Sequence, residues 1–432
     1  MDMTKYTAGF ARLDITPFLG MAMAGSWNAR GVQGVYDPLV VDAVAFGDGE
    51  KSSLLLVADL VGVYGDFAKE LPAIVAESVG IPADSVIQHC THSHTGPSVG
   101  SDEQYKAFLT RRMCDAAAMA MADRKPVTDV RFAQVMTEGM NCVRRYKLSD
   151  GTVMTNPSGE WKDMIVDIAG KNDESLRLVR ILRQDAPEIA LVNFAAHPDN
   201  IGGSYISADF PGAMRNTVET GRRDVKCVFL QGCEGQMVIF DRREPWVKAS
   251  HPKAMAHGTK LGGIVLELFD KTQSTGQTGL SFGRKSVSLK TKRDPARVPE
   301  AQRILDLHKE GRDDLIHPIQ KFANYIRAEA GRIVTLEKTQ MDYLNTEVCG
   351  MTFCGMAIAG FPGEPFNEVG QQVRQNARFP VTMTLALCNG AHGYFPTAEG
   401  HDEGGYEAYN TPYVRGTAEQ MADTADALLK EL

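Results

Sequence analysis

The sequence predicts an α/β fold, and three observations carry that expectation. Through the first third of the chain, apolar runs of strand length alternate with amphipathic stretches of helix length. Several apolar runs give way to a polar, metal-capable residue beside a Gly-Pro, Pro-Asp or Pro-Gly turn, as strand ends do in α/β sheets. No internal repeat, low-complexity segment or heptad run offers a competing architecture.

Taken in order, AGFARLDIT and LVVDAVAF read as strands, and LLLVADLVGV as a buried strand ending in a turn. Asp66 to Val79 is amphipathic and predicts a helix, and the strand Ser85 to Cys90 follows. Tyr105 to Asp123 is a second helix, its methionines read as core filling. Val130 to Met136 is a strand leading into NCVRRYKLSDGTVMTNPSG, a loop marked by Asp-Gly and Asn-Pro. LRLVRIL and IALVNFAA flank a turn at Gln184 to Pro187, and SADFPGAM opens a helix with Pro211 in its first turn. CVFLQG is a strand running into the loop QGCEGQ, Ala254 to Lys271 a helix, and Gly276 to Lys292 strand material. Pro299 to Glu329 reads as one or two polar helices, the best candidate for an insertion or lid. EVCGMTFCGMAIAGFPGEPF then reads as one strand into a turn and helix, VTMTLALCNGAHGYFPT as a strand into a Gly-rich loop, and Thr417 to Leu432 as a final helix.

The 432 residues suffice for two or three average domains or one large α/β domain. A net charge of −8 and a pI near 5.7 supply no basic face to neutralise phosphates, so nucleic acid is excluded as a main partner and a small-molecule substrate is expected. The first residues hold no apolar signal-peptide core, and no run of about eighteen apolar residues occurs; a cytoplasmic protein without stable membrane association is expected. The eight cysteines show no CxxC pair or regular spacing, and read as buried small side chains.

The chemistry gathers around VIQHCTHSHTGPSVG, Val86 to Gly100. In an extended segment His92 and His94 share a face, while His89 points the other way. Two imidazoles start a zinc site, but catalytic zinc takes three protein ligands and an open position, so further donors must come from other strand ends: His197 after IALVNFAA, Glu364 in FPGEPF and Tyr394 in GYFPT. Singly, His197 reads as a hydrogen-bonded structural histidine, Glu364 as a helix cap and Tyr394 as core. Arg144 and Arg145 are adjacent, so in an extended loop at most one faces a site. In HDEGGYEAYNTPY, an aromatic and polar loop, His401, Glu403 and Tyr406 are weaker pocket candidates, as is Arg145. GxSxG, P-loop and HExxH motifs are absent, which removes several hydrolase and nucleotide-binding classes.

At GFARLDITP, VADLVGV, THSHTGP, VRRYKLSDGTVMTNP, FAAHPDN, PGEPF and GYFPT, in that order, the chain resembles the N-terminal zinc amidase domain of the neutral ceramidase superfamily. The resemblance implies mixed β-sheets flanked by helices, one domain over 1–432 with a helical insertion at about 299–332, and Zn2+ held by His92, His197, Glu364 and Tyr394. It implies that His94 sits beside the attacking water or substrate oxygen, that Arg144 aids substrate binding, and that an amide (N-acyl) or related bond of a small polar substrate is cleaved. Which of His92 and His94 is the ligand is left open by the sequence. Gln236 stands where the family carries Asp, and Val238 where ceramidases carry a serine implicated in catalysis, so that serine's role has no bearer here. The family's C-terminal β-sandwich domain is expected to be absent. Other zinc-assisted chemistry, such as ester or lactone hydrolysis or a carbohydrate-related lyase step, and a catalytically silent metal-binding protein are the competing expectations.

Overall fold

A computed structural model of the chain describes residues 3–26, 29–244 and 250–432. Its longer strands are β1 (Thr7–Asp14), β2 (Val40–Gly47), β3 (Ser52–Ala58), β4 (Val86–Cys90), β5 (Lys125–Met136), β6 (Ser175–Arg183), β7 (Glu188–Phe194), β8 (Val225–Gln231), β9 (Leu280–Lys290), β10 (Tyr343–Phe353), β11 (Met356–Gly360) and β12 (Val381–Leu385). A large sheet runs β8-β7-β6-β5-β1-β2-β3-β4, and a smaller one β9-β10-β11-β12. Both sheets are mixed: β3 and β4, β7 and β8, and β11 and β12 pair in parallel, the other neighbours antiparallel.

Period-two alternation sorts these strands into layers. On β2, Val41, Ala43 and Ala45 face Leu71 and Val75 of helix α1 (Gly65–Val79) and Leu109 and Met113 of α2 (Glu103–Ala122). Val44 and Phe46, one residue out of phase, face the smaller sheet with Met351, Ile358 and Met383. On β7 and β8, Val192 and Phe229 pack on Met214 of α3 (Asp209–Gly221) and Leu261 of α4 (His251–Leu268), while Leu191 and Val228 join the inter-sheet core. The outer face of the smaller sheet is covered by α7 (Asn367–Asn376) and α8 (Thr417–Glu431) through Val373, Met421 and Leu428. The result is four layers: helices, large sheet, small sheet, helices. Fully buried strands need both faces apolar, which is why their sequences read as unbroken apolar runs.

Between α4 and α7 in the chain, α5 (Val298–Lys309) and α6 (Gln320–Lys338) form a pair with its own small core of Ala301, Ala330 and Ile333. These helices span more than the expected 299–332, because the amphipathic pattern of α6 runs on to Lys338. Tyr325 of α6 packs its ring 5.3 Å from Tyr406, so the pair leans on the loop after Tyr394.

Two expectations about elements are corrected. Residues 347–360 are not one strand but part of a hairpin, β10 turning into β11 at Cys354 (φ 45°) and Gly355 (φ 86°). Apolar residues on both sides of that tight turn hide it from a hydrophobicity reading. HDEGGYEAYNTPY is not an open loop, since Ala398–Glu403 and Tyr406–Asn410 are short helices separated by Gly404 and Gly405.

Candidate metal centre

His89, at the buried end of β4, has no spare ring atom: Nδ1 meets Ala386 O at 2.8 Å and Nε2 accepts the Gln231 amide at 3.0 Å. It ties the end of β4 to the end of β8 and to the segment after β12, as a structural histidine facing away from the site. Burial holds it near pKa 4 and therefore neutral.

Beyond Cys90 the chain leaves the sheet. His92 takes φ 69°, a left-handed conformation uncommon outside glycine. His92 and His94 do converge, but through this turn and not through the strand alternation expected of an extended segment. His92 Nδ1 faces Val61 O at 2.7 Å, His94 Nδ1 faces Gly25 O at 2.9 Å, and His197 Nδ1 faces Met237 O at 3.0 Å. Gly25 is needed there: at φ 78° its carbonyl reaches the ring, and a Cβ would lie 2.7 Å from His94 Cα.

Carbonyl oxygens only accept, so these partners assign the proton of each neutral ring to Nδ1 and leave three Nε2 lone pairs facing inward. His92 and His94 present Nε2 to each other at 3.1 Å. Glu364 Oε2 lies 3.4 Å from His92 Nε2 and 3.3 Å from His197 Nε2. Neither His197 Nε2 nor Glu364 Oε2 has a hydrogen-bond partner among the described residues. Lone pairs and a carboxylate packed at such distances repel unless a proton or cation lies among them. The protonation preferences say the same. Burial lowers His92, but Glu364 outweighs it and raises the ring to about 9. Burial would raise Glu364, yet His92 and His197 hold it well below its ordinary value. Burial and Arg144 keep His197 well below 6.5, and burial keeps His94 below it.

The donor set fits a metal ion. Ligands about 2.0–2.1 Å from a tetrahedral ion stand roughly 3.3–3.4 Å apart, which the two histidine–Glu364 separations match. His92 belongs to both groups of converging donors, His92–His94–His197 and His92–Glu234–Glu364, each within 4.8 Å. His92 and His197 are buried, whereas His94 is partly open beside half-exposed Asp199, 3.7 Å from its Nδ1.

Glu364 is brought to the histidines by backbone pairing with Tyr394 in a two-residue parallel bridge. It does not cap α7; Gln236 does, accepting the Asn367 amide at 3.0 Å and donating to Glu368 at 2.6 Å. Gln236 is thus used structurally, and Val238 pairs with Cys142 on a short strand. Tyr394 is buried, its phenol kept protonated by burial and by Glu364. Arg144 donates to Tyr394 Oη at 3.2 Å and Gly235 O at 2.9 Å, and is held from behind by buried Glu407 at 2.7 Å. Tyr406 stands 5.6 Å from the Tyr394 ring.

The other pocket candidates lie elsewhere. Arg145 is fully buried and spent on Gly400 O, Gly404 O and Glu403, over the Phe366 ring. Glu403 lines a cavity of about 740 Å³ with Glu368, Thr397 and Arg415 that includes none of the histidines. The charges near His401 are Lys292, Asp402 and Arg415. Two site residues were not singled out from the sequence. Glu407 lies in a second short helix, four residues past Glu403 and beyond Gly404 and Gly405, and carries no signal of its own. Glu234 sits where the apolar run CVFLQG stops, and the strand-end rule applied there would have found it.

No family model matches the chain, and no curated protein matches it. Among solved structures it is similar to neutral ceramidase from Pseudomonas aeruginosa, with a TM-score of 0.73 and 14% identity, over 100% of this chain and 75% of that one. It is similar also to a ceramidase complexed with C2, with a TM-score of 0.71 and 13% identity, over 99% and 76%. At these identities the likeness establishes the fold: the mixed α/β architecture described above is the neutral ceramidase fold.

Proposed function

We propose that this chain is a zinc-dependent hydrolase that cleaves an amide (N-acyl) or related bond of a small polar substrate. One observation carries the reading. On a ceramidase-like fold, three imidazoles anchored through Nδ1 converge through Nε2: those of His92 and His197 on Glu364 Oε2, which has no hydrogen-bond partner among the described residues, and that of His94 on His92. His92, His197 and Glu364 would hold the ion, with Tyr394 as the fourth donor; the position of Glu364 between His92 and His197 supports His92, not His94, as the ligand. Zinc bound there would supply Lewis acidity, drawing the pKa of water toward about 7 and polarising the scissile carbonyl. His94 is the proton carrier. Gly25 fixes its Nδ1–H, its ring is partly open to solvent where those of His92 and His197 are buried, and its lowered pKa leaves it neutral near pH 7, able to take a proton from water and pass it to the leaving amine. Arg144, braced by Glu407, keeps Tyr394 in place and brings positive charge to the side where an oxyanion develops.

Val238 in place of a serine favours a second reading, ester or lactone hydrolysis or a lyase step at the same centre. The deciding experiment is a panel of N-acyl amino acids, N-acyl amino sugars, short-chain ceramides and lactones, assayed before chelation, after chelation and after zinc is restored. His92→Ala is expected to lose stoichiometric zinc and turnover together; a variant that keeps a full equivalent of zinc by elemental analysis rejects the ligand set.

A further inference from the structure

Glu234 is the most isolated buried charge near the centre. It follows β8 in the loop Gly232–Gln236, whose path is forced by close packing: a Cβ on Gly235 would lie 2.6 Å from Glu364 O. The side chain is fully buried, and neither Oε1 nor Oε2 accepts a hydrogen bond from any described residue. One oxygen lies within 4.8 Å of donor atoms of both His92 and Glu364. A buried carboxylate without donors is costly, and a second carboxylate beside it makes both worse. The basic groups nearby do not answer it, since Arg144 is spent on Glu407, Gly235 O and Tyr394. The group that satisfies Glu234 must lie where His92 and Glu364 also point.

We propose that Glu234 is a further ligand of the same ion, making the centre a two-histidine, two-carboxylate site. This inference rests on the metal reading above and extends it. With Glu364 alone a divalent ion leaves the buried site with an excess positive charge; Glu234 makes it neutral, so that Tyr394 can remain a phenol. Two carboxylates also harden a donor set of imidazoles, widening it toward manganese and iron as well as zinc.

The test uses the full chain stripped of metal by chelation and titrated with zinc against a chromophoric chelator. Wild type is expected to bind one equivalent. E234Q, which keeps the shape and removes the charge, is expected to bind roughly 100-fold more weakly, the upper end of what losing a metal-site partner costs. Metal-free E234Q should melt no lower than metal-free wild type, because an unpartnered buried carboxyl has been exchanged for a neutral amide of the same shape, whereas the rise in melting temperature on adding zinc should shrink. With cobalt in place of zinc, the visible spectrum of E234Q should differ from that of wild type. An affinity loss of less than tenfold, an unchanged cobalt spectrum, or two equivalents in wild type each overturns the assignment. A wild-type chain that takes up no zinc instead overturns the metal reading itself, so the two failures are distinct.

Discussion

Two buried clusters of charge lie close together in this fold, and they are built differently. Behind the site, Arg215 of α3 clamps Asp59 through two hydrogen bonds of 2.8 and 2.6 Å, and Arg12 of β1 meets Asp42, Glu219 and the Cys227 carbonyl. There each donor faces an acceptor. At the candidate centre bases face bases: His197 Nε2, Glu364 Oε2 and both Glu234 oxygens have no hydrogen-bond partner among the described residues, and His92 and His94 turn Nε2 toward each other, so only a titrating proton or a bound cation can answer them. A satisfied cluster is complete as protein, whereas an unsatisfied one is complete only with something bound. Breaking the two clusters should therefore have opposite consequences. Arg215→Ala strands Asp59, which is fully buried, and is expected to lower unfolding free energy by about 3–5 kcal/mol in urea titrations. Because Asp59 also accepts from Thr91, next to His92, zinc affinity should fall with it. At pH 9.5, where His92 has lost most of its proton and with it most of its attraction for Glu364, His92→Ala should destabilise the metal-free protein far less than Arg215→Ala does, while removing the metal. Equal destabilisation of the metal-free protein by both changes would erase the distinction.

The same contrast has a pH signature. In the metal-free protein Glu364 raises His92 to about 9, above its ordinary 6.5, so the folded state holds a proton that the unfolded chain has released. The stabilisation is fully present below about 6.5 and is lost as pH rises through 9. Glu234, raised by burial to about 8, acts in the same direction over the lower part of that window. Metal-free wild type is thus expected to melt at a higher temperature at pH 6.5 than at pH 9.5, with a smaller difference in Glu364→Gln and a reversed one after zinc is added, since zinc competes with these protons. A melting temperature of the metal-free protein that is flat across this range would contradict the unsatisfied-cluster picture.

How much of this was legible in the sequence follows from what each feature depends on. The strands and helices were, because apolar periodicity is local; the β10–β11 turn was not, because Cys354 and Gly355 interrupt no apolar pattern. Strand ends carrying His92, His94, His197, Glu364 and Tyr394 could be picked out one by one, and the fold brings them together. Their convergence rests on pairings such as Glu364 with Tyr394 and on carbonyls at Val61, Gly25 and Met237, which no local pattern encodes. Glu234 stands at a strand end and was open to the same rule; what singles it out, its lack of partners, is a property of packing and not of residue type. Gln236, which stood out as a departure from the family pattern, proved to be the cap of α7.

Arg144 and Arg145 restate the comparison at the scale of neighbours in sequence. Both reach Glu407, one to each carboxylate oxygen, at 2.7 and 3.8 Å. Past that shared anchor they diverge: Arg144 continues to Tyr394, while Arg145 turns back into the wall between the centre and the Glu403 cavity. Arg144→Lys keeps the charge but not the fork that spans Glu407 and Tyr394, and is expected to cut kcat/KM by roughly 10- to 100-fold with zinc content unchanged. Glu403→Gln is the smallest effect. It weakens the contact to exposed Lys147, a pair of the kind that contributes about 0–1 kcal/mol, and one contact of buried Arg145, which keeps its hydrogen bonds to Gly400 O and Gly404 O. Turnover within about twofold of wild type is expected for it. A loss comparable to that of Arg144→Lys would mean that substrate enters from the Glu403 side, and that the wall carrying Arg145 belongs to the site after all.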